Sequence, residues 1–231
     1  MARPIVVFDL DGTLVDTAPD LLDSLNHCLA LAKINRVDAV DLRSFVGMGG
    51  KVMIERAFAA QNRPLSEERL AELLVTFLEH YTDNMPGKSL LFPGAEAALS
   101  RLAEAGYLLA VCTNKYESLS KKLLEALGQA QRFAAICGQD TFDWRKPDPR
   151  HLRETIALAG GDPEQAVMIG DSRTDIDTAK AAGIPVVAVD FGYTDRHVRT
   201  FEPSRIISHF DQLTVAMVRQ LMHDAAPARP A

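Results

Sequence analysis

Asp9 and Asp11 stand one residue apart at the end of the apolar run Ile5-Val6-Val7-Phe8 and are followed by Gly12, Thr13 and Leu14. A short, continuously apolar and β-branched run predicts a buried strand. Side chains two positions apart on a strand share a face. Both carboxylates therefore emerge together at the strand's carboxyl end, which is where open α/β sheets bind ligands. Adjacent carboxylates repel unless a cation lies between them, and a hard divalent ion with oxygen ligands meets that need. Gly12 permits a sharp turn or a close approach. Taken alone, the segment reads equally well as a plain turn, because Asp and Gly are both turn residues.

Three later segments separate the two readings. Thr113-Asn114-Lys115 follows the apolar run Tyr107–Cys112, and Gly170-Asp171-Ser172-Arg173-Thr174-Asp175 follows Ala166–Ile169. Between them lies Arg145-Lys146-Pro147-Asp148. In a parallel sheet the strand ends converge on one crevice, so carboxylates, a hydroxyl and a lysine would meet there. That set suits phosphoryl transfer. An anionic carboxylate attacks phosphorus only if cations screen the repulsion, and Lys146 with a divalent ion would supply that screening. Backbone N–H groups of the Leu10-Asp11-Gly12 turn would add an anion-binding nest. Each segment also has a structural reading: a helix cap for Thr113-Asn114, loop punctuation for Lys146-Pro147, and an acidic helix start for Asp171 to Asp175. Their joint occurrence, in order and at predicted strand ends, favours chemistry.

The elements that must position these residues follow from periodicity. A helix begins at Thr17, read as its N-cap, with Pro19 and Asp20 in the first turn and Leu21, Leu25, Leu29 and Ala32 at helical spacing. Another begins at Ser66, with Leu70, Leu73, Leu74, Phe77 and Leu78 on its apolar face. No strand pattern interrupts this stretch up to about residue 83. After Phe92-Pro93-Gly94 the pattern alternates. Helices are predicted over 95–105, 118–127, 150–159, 174–182 and 211–222, and strands over 107–112, 133–137, 166–169, 185–189 and 205–207. Alternation of this kind implies an α/β fold with a parallel sheet, and the strand before Asp9 must join it, since one strand cannot stand alone. Residues 1–15 and 84–231 then form the catalytic core. Residues 16–83 form a helical cap, moving about linkers near Val15-Asp16 and Asn84–Gly87.

Composition narrows the class. The 231 residues are 47% hydrophobic and 24% charged, with net charge -6 and no long basic run, which argues against nucleic-acid partners. No apolar stretch reaches membrane-spanning length, and the first residues lack the form of a signal peptide. Cys28, Cys112 and Cys137 are odd in number and lack metal-ligand spacing. Reduced thiols and a cytoplasmic location are expected. The six histidines are scattered and take no role, and Trp144 is expected to pack beneath the Lys146 loop.

Asp9-Leu10-Asp11-Gly12-Thr13-Leu14, Thr113-Asn114, Lys146-Pro147 and Gly170-Asp171 with Asp175 resemble the four motifs of the haloacid dehalogenase superfamily. The helical stretch resembles the cap of its C1 subclass, so the resemblance spans essentially the whole chain. It implies a Rossmann-like core and a Mg²⁺-dependent aspartyl-phosphate mechanism. Asp9 is then the nucleophile. Asp11 protonates the leaving oxygen and later activates water, which calls for a raised pKa. Thr113 and Lys146 hold the phosphoryl oxygens, with Asn114 beside them at the substrate. Mg²⁺ rests on the Asp9 carboxylate, the Asp11 carbonyl and Asp171, with Asp175 behind them. Dehalogenases lack a carboxylate two residues after the nucleophile, and phosphonate hydrolases carry a small residue there. Asp11 therefore leaves a phosphatase or a phosphomutase.

Arg43-Ser44-Phe45-Val46-Gly47-Met48-Gly49-Gly50-Lys51 resembles the substrate loop of bacterial phosphoglycolate phosphatases, with Met48 where those often carry Asn. Val189 to Thr194 also resembles that family. The likeness implies that Arg43, Gly47 and Gly49 receive a small carboxylate, with Lys51 open between that role and a solvated one. The expected activity is hydrolysis of a small phosphate monoester, 2-phosphoglycolate first. A mutase of the β-phosphoglucomutase type and a pyrophosphatase are the alternatives. The expected partner is a small phosphate ester, without nucleic acid or membrane, for a monomer or homodimer.

Overall fold

The structure is a computed structural model that describes residues 3–38, 49–194 and 196–225. Arg43, Gly47 and Met48 of the expected substrate loop lie outside the described residues.

Strand β1 (Arg3–Phe8) is central in a six-stranded sheet of order β5-β4-β1-β6-β7-β8, with β4 Leu108–Cys112, β5 Ala135–Cys137, β6 Gly161–Gly170, β7 Val186–Val189 and β8 Arg205–Ile207. Every pairing in it is parallel. Val6 and Phe8 enter one apolar core while Ile5 and Val7 enter the other, as the period of two requires. Helices α4 (Ala95–Glu104), α5 (Glu117–Ala126) and α8 (Val215–Ala225) bury Leu99, Leu102, Leu123, Leu124, Val218 and Leu221 on the Phe8 side. Helices α6 (Pro149–Leu158) and α7 (Arg173–Ala182) bury Leu152, Ile156, Ile176 and Ala179 on the other. A parallel sheet covered on both faces explains why its strands are continuously apolar.

The chain leaves the sheet through β2 (Val15–Asp16) and returns through β3 (Leu90–Leu91), which pair antiparallel with Val15 opposite Leu91. Between them run α1 (Ala18–Leu31), α2 (Gly50–Ala60) and α3 (Glu67–Asp83). Leu21, Leu25 and Leu29 of α1 share a buried cluster with Met53 and Ile54 of α2 and Leu73 and Phe77 of α3.

Several expectations need correction. Thr17 occupies the N-cap of α1, but its side chain makes no capping bond and its buried Oγ1 has no partner. Asp20 stands in the first turn of α1, as expected. Its carboxylate accepts hydrogen bonds from the Lys88 and Ser89 backbone N–H groups and from Ser89 Oγ at 2.5–3.0 Å, clasping the return linker to α1. The last helix begins at Val215 rather than 211, because residues 210–212 close a separate 3₁₀ turn and Thr214 Oγ1 accepts from Met217 N at 3.2 Å. Strand β5 starts at Ala135, not 133, since Phe133 closes a preceding 3₁₀ turn. All three cysteines are free and buried.

Candidate active site

Asp9 extends β1 by one more bond, its N–H donating to Ile169 O at 2.9 Å. The backbone then coils: Leu14 N and Val15 N both donate to Leu10 O at 3.0 Å. Gly12 adopts φ +82°, and a Cβ there would lie 2.5 Å from Asp171 Oδ2. Glycine is thus required twice, for its backbone angle and for space. The coil swings Thr13 round to donate to Asp171 Oδ1 at 2.9 Å, and Tyr193 N donates to Asp171 Oδ2 at 2.6 Å. Tyr193 also spans to the outgoing linker. Its hydroxyl donates to Asp16 Oδ1 and accepts from Ala18 N.

Asp175 is placed by the start of α7. Ser172 Oγ accepts from Asp175 N, while Asp175 Oδ2 accepts from Ser172 N at 3.0 Å, a reciprocal capping box. Its other oxygen accepts from Lys146 Nζ at 2.6 Å. Lys146 is 3% exposed, and its ammonium also lies 2.9 Å from Asp9 Oδ1. Asn114 Nδ2 donates to the Lys146 carbonyl at 3.0 Å, fixing the loop to the end of β4. Thr113 is buried beside it, its N–H donating to Cys137 O at 3.0 Å.

Burial pushes the Asp9 carboxyl up from its ordinary 3.8 to about 6; Asp175 adds to the rise, and Lys146 opposes it. Burial, then Asp175 and Asp9, hold Asp171 well above the usual carboxylate range. Burial pulls Lys146 down, but Asp175 and Asp9 outweigh it, so the ammonium is held charged. Asp9, Asp171 and Asp175 are buried and offer oxygens within 4.8 Å of one another. Asp9 Oδ1 makes no aligned hydrogen bond despite its nearness to Lys146. Three buried carboxylates around a single ammonium leave negative charge unmatched. The donors are all oxygens, so the cluster fits a hard divalent cation.

Asp9, Asp11, Thr113, Asn114, Lys146 and Gly49 line one cavity of about 460 Å³, and the buried Asp171 and Asp175 offer oxygens within 4.8 Å of that of Asp9. Lys51 also faces it. Trp144 is not among the lining residues; it stacks under the Arg150 guanidinium at 4.2 Å. Sequence reasoning missed the partners that hold the set in place. Lys115 Nζ lies 3.1 and 3.2 Å from the two Asp11 oxygens and 2.9 Å from the Tyr81 hydroxyl. Thr13, Tyr193 and Ser172 were likewise assigned nothing. Adjacency was the available signal, since Lys115, Thr13 and Ser172 each follow a named motif residue within two positions.

A family model described as haloacid dehalogenase-like hydrolase matches residues 6–189. A phosphoglycolate phosphatase of Mesorhizobium japonicum is 67% identical over 225 residues, covering 97% of this chain and 99% of that protein. One from Agrobacterium fabrum is 48% identical over 225 residues, covering 97% of each. Among solved structures, a predicted phosphoglycolate phosphatase from Haemophilus somnus superposes with a TM-score of 0.85 at 29% identity, covering 91% of this chain and 96% of that one.

Proposed function

The chain belongs to the haloacid dehalogenase-like hydrolases, and on that premise we propose that it hydrolyses 2-phosphoglycolate to glycolate and phosphate through a phosphorylated Asp9. The observation that carries this reading is the setting of Asp9: a buried carboxylate facing the cavity, 2.9 Å from the Lys146 ammonium, with Asp11 at the same strand end. The substrate follows from the named relatives.

An Asp9 oxygen attacks phosphorus as the bond from phosphorus to the ester oxygen breaks. The leaving alkoxide takes a proton from Asp11, and glycolate departs. Water then attacks the phosphorus and gives its proton to Asp11. The bond to Asp9 breaks, and phosphate and the free carboxylate are restored. Lys146 and Thr113 hold the phosphoryl oxygens, Asn114 fixes the Lys146 loop, and Asp175 keeps the ammonium in place. Mg²⁺, held by the Asp9 and Asp171 carboxylates and the Asp11 carbonyl, would supply further neutralisation of the phosphoryl charge. Residues 16–83 act as a cap that closes over the cavity and excludes bulk water. Arg43, Gly47 and Gly49 receive the glycolate carboxylate.

The test is phosphate release with Mg²⁺ from 2-phosphoglycolate, glucose 1-phosphate and pyrophosphate. The first should give the highest kcat/KM, EDTA should abolish it, and Asp9→Asn should be inactive. Arg43→Ala should lose roughly ten- to a hundredfold in kcat/KM on phosphoglycolate and far less on a neutral aryl phosphate. A better rate with either competitor would overturn the substrate, and turnover by Asp9→Asn would overturn the mechanism.

A further inference from the structure

Lys115 has a buried ammonium that the scheme above does not use. Its side chain is 5% exposed and Asp11's is 15%. An ammonium carries three hydrogens, and three acceptors surround this one: both Asp11 oxygens and the Tyr81 hydroxyl. The Tyr81 ring centre lies 4.3 Å from Nζ. The two ends of this chain of contacts belong to different parts of the molecule. The Lys115 backbone is fixed to the sheet edge: its N–H donates to Thr113 Oγ1 at 3.3 Å, and its carbonyl accepts from Gln139 N at 2.9 Å. A Cβ at Gly138 would lie 2.6 Å from that carbonyl, so the packing there leaves no slack. Tyr81 comes from α3, across the cavity, where it is buried alongside Phe77 with ring centres 6.4 Å apart.

We propose that Lys115 is a positioning residue for Asp11, steadied from the facing helix by the Tyr81 hydroxyl. The inference rests on the reading of Asp11 as the group that gives and then takes the proton. Once Asp11 has protonated the leaving oxygen, it is an anion beside a phosphorylated Asp9. Lys115 holds that anion by both oxygens until water returns a proton. Without Lys115 the Asp11 side chain regains its rotamers and meets the phosphoryl charge unscreened, and small misplacements of a reacting group slow reactions steeply. A merely structural ion pair would act on folding and would slow both half-reactions alike.

The two halves can be separated with 4-nitrophenyl phosphate, whose leaving group departs without a proton. Phosphorylation of Asp9 then needs no acid, whereas attack by water still needs Asp11. Wild type, Lys115→Met, Lys115→Arg, Tyr81→Phe and Asp11→Asn are mixed rapidly with this substrate and with 2-phosphoglycolate in Mg²⁺. For Lys115→Met, the first release of nitrophenolate, about one per active site, should keep a rate within about threefold of wild type. Its steady rate should fall about a hundredfold. With phosphoglycolate, both phases should slow. Tyr81→Phe should follow the same pattern with a two- to tenfold fall in steady rate, as one lost hydrogen bond implies, and Lys115→Arg should recover part of the loss. With 4-nitrophenyl phosphate, equal slowing of both phases, or wild-type kinetics in a variant that melts cooperatively, would overturn the inference. If Lys115→Met does not fold, Tyr81→Phe decides by the same criterion, since it keeps the ring packing. Asp11→Asn is the control. If it turns over normally, the reading of Asp11 falls and the inference with it. If it stalls after the first release while Lys115→Met does not, the inference alone fails.

Discussion

Asp9→Asn should make the metal-free protein more stable at neutral pH while removing its activity. The Asp9 carboxyl rises from 3.8 to about 6 through burial and Asp175, and that value is already net of the pull from Lys146. A carboxyl raised in this way holds its proton more tightly folded than unfolded. Its stabilising share is therefore complete below about pH 4 and is lost as pH climbs through about 6. The difference amounts to about 3 kcal/mol at neutral pH. Asparagine carries no charge and avoids that loss. It also removes one of the charges that raise Asp171. For a chain of this length about 3 kcal/mol corresponds to roughly 6–12 °C in Tm. Thermal melts of both proteins in EDTA, from about pH 4 to about pH 8, should show a gap that is near zero at the acid end and full by neutrality. Excess Mg²⁺ should shrink or reverse it, because the ion binds the folded carboxylate form. A gap that does not change with pH, or a less stable variant at neutral pH, would refute the reasoning.

Gly12→Ala should weaken Mg²⁺ binding and lower kcat/KM by about a hundredfold or more, because φ +82° disfavours a side chain and the added carbon would strike Asp171 Oδ2 at 2.5 Å. Calorimetric titration and phosphate release would register both effects. Tyr193→Phe should lower stability by about 1–3 kcal/mol by taking away the hydroxyl that bonds Asp16 and Ala18 N. Mg²⁺ affinity should be unchanged, since the backbone N–H of residue 193 still donates to Asp171. A loss of Mg²⁺ affinity equal to that of Gly12→Ala would refute this division of labour.

The sheet was legible because its strands are buried on both faces and read as unbroken apolar runs from Ile5, Leu108, Ala166 and Val186. The residues at their ends were legible because chain order and strand direction together bring Asp9, Thr113 and Asp171 to one edge. Strands β2 and β3 were not, since two residues each carry no periodicity. The roles of Lys115 and Asp20 were not legible either. Each depends on a partner far along the chain, Tyr81 and Asp11 for one, Lys88 and Ser89 for the other, and local spacing holds no record of such meetings. Thr17 misled for a related reason: its type suits a cap, but its hydroxyl is buried where no backbone N–H reaches it.

The pairing of Val15-Asp16 with Leu90-Leu91 places the exit and re-entry points of the chain on neighbouring strands, roughly 5 Å apart. To the sheet, everything between them is a single oversized hairpin loop. Lengthening such a loop is inexpensive, about 0.6 kcal/mol for each doubling. Segments of very different length and sequence can therefore be grafted at this doorway without disturbing the strand ends that carry Asp9, Thr113 and Asp171. The architecture thus anchors both ends of the inserted segment at one place, so that its length is set independently of the strand order of the sheet.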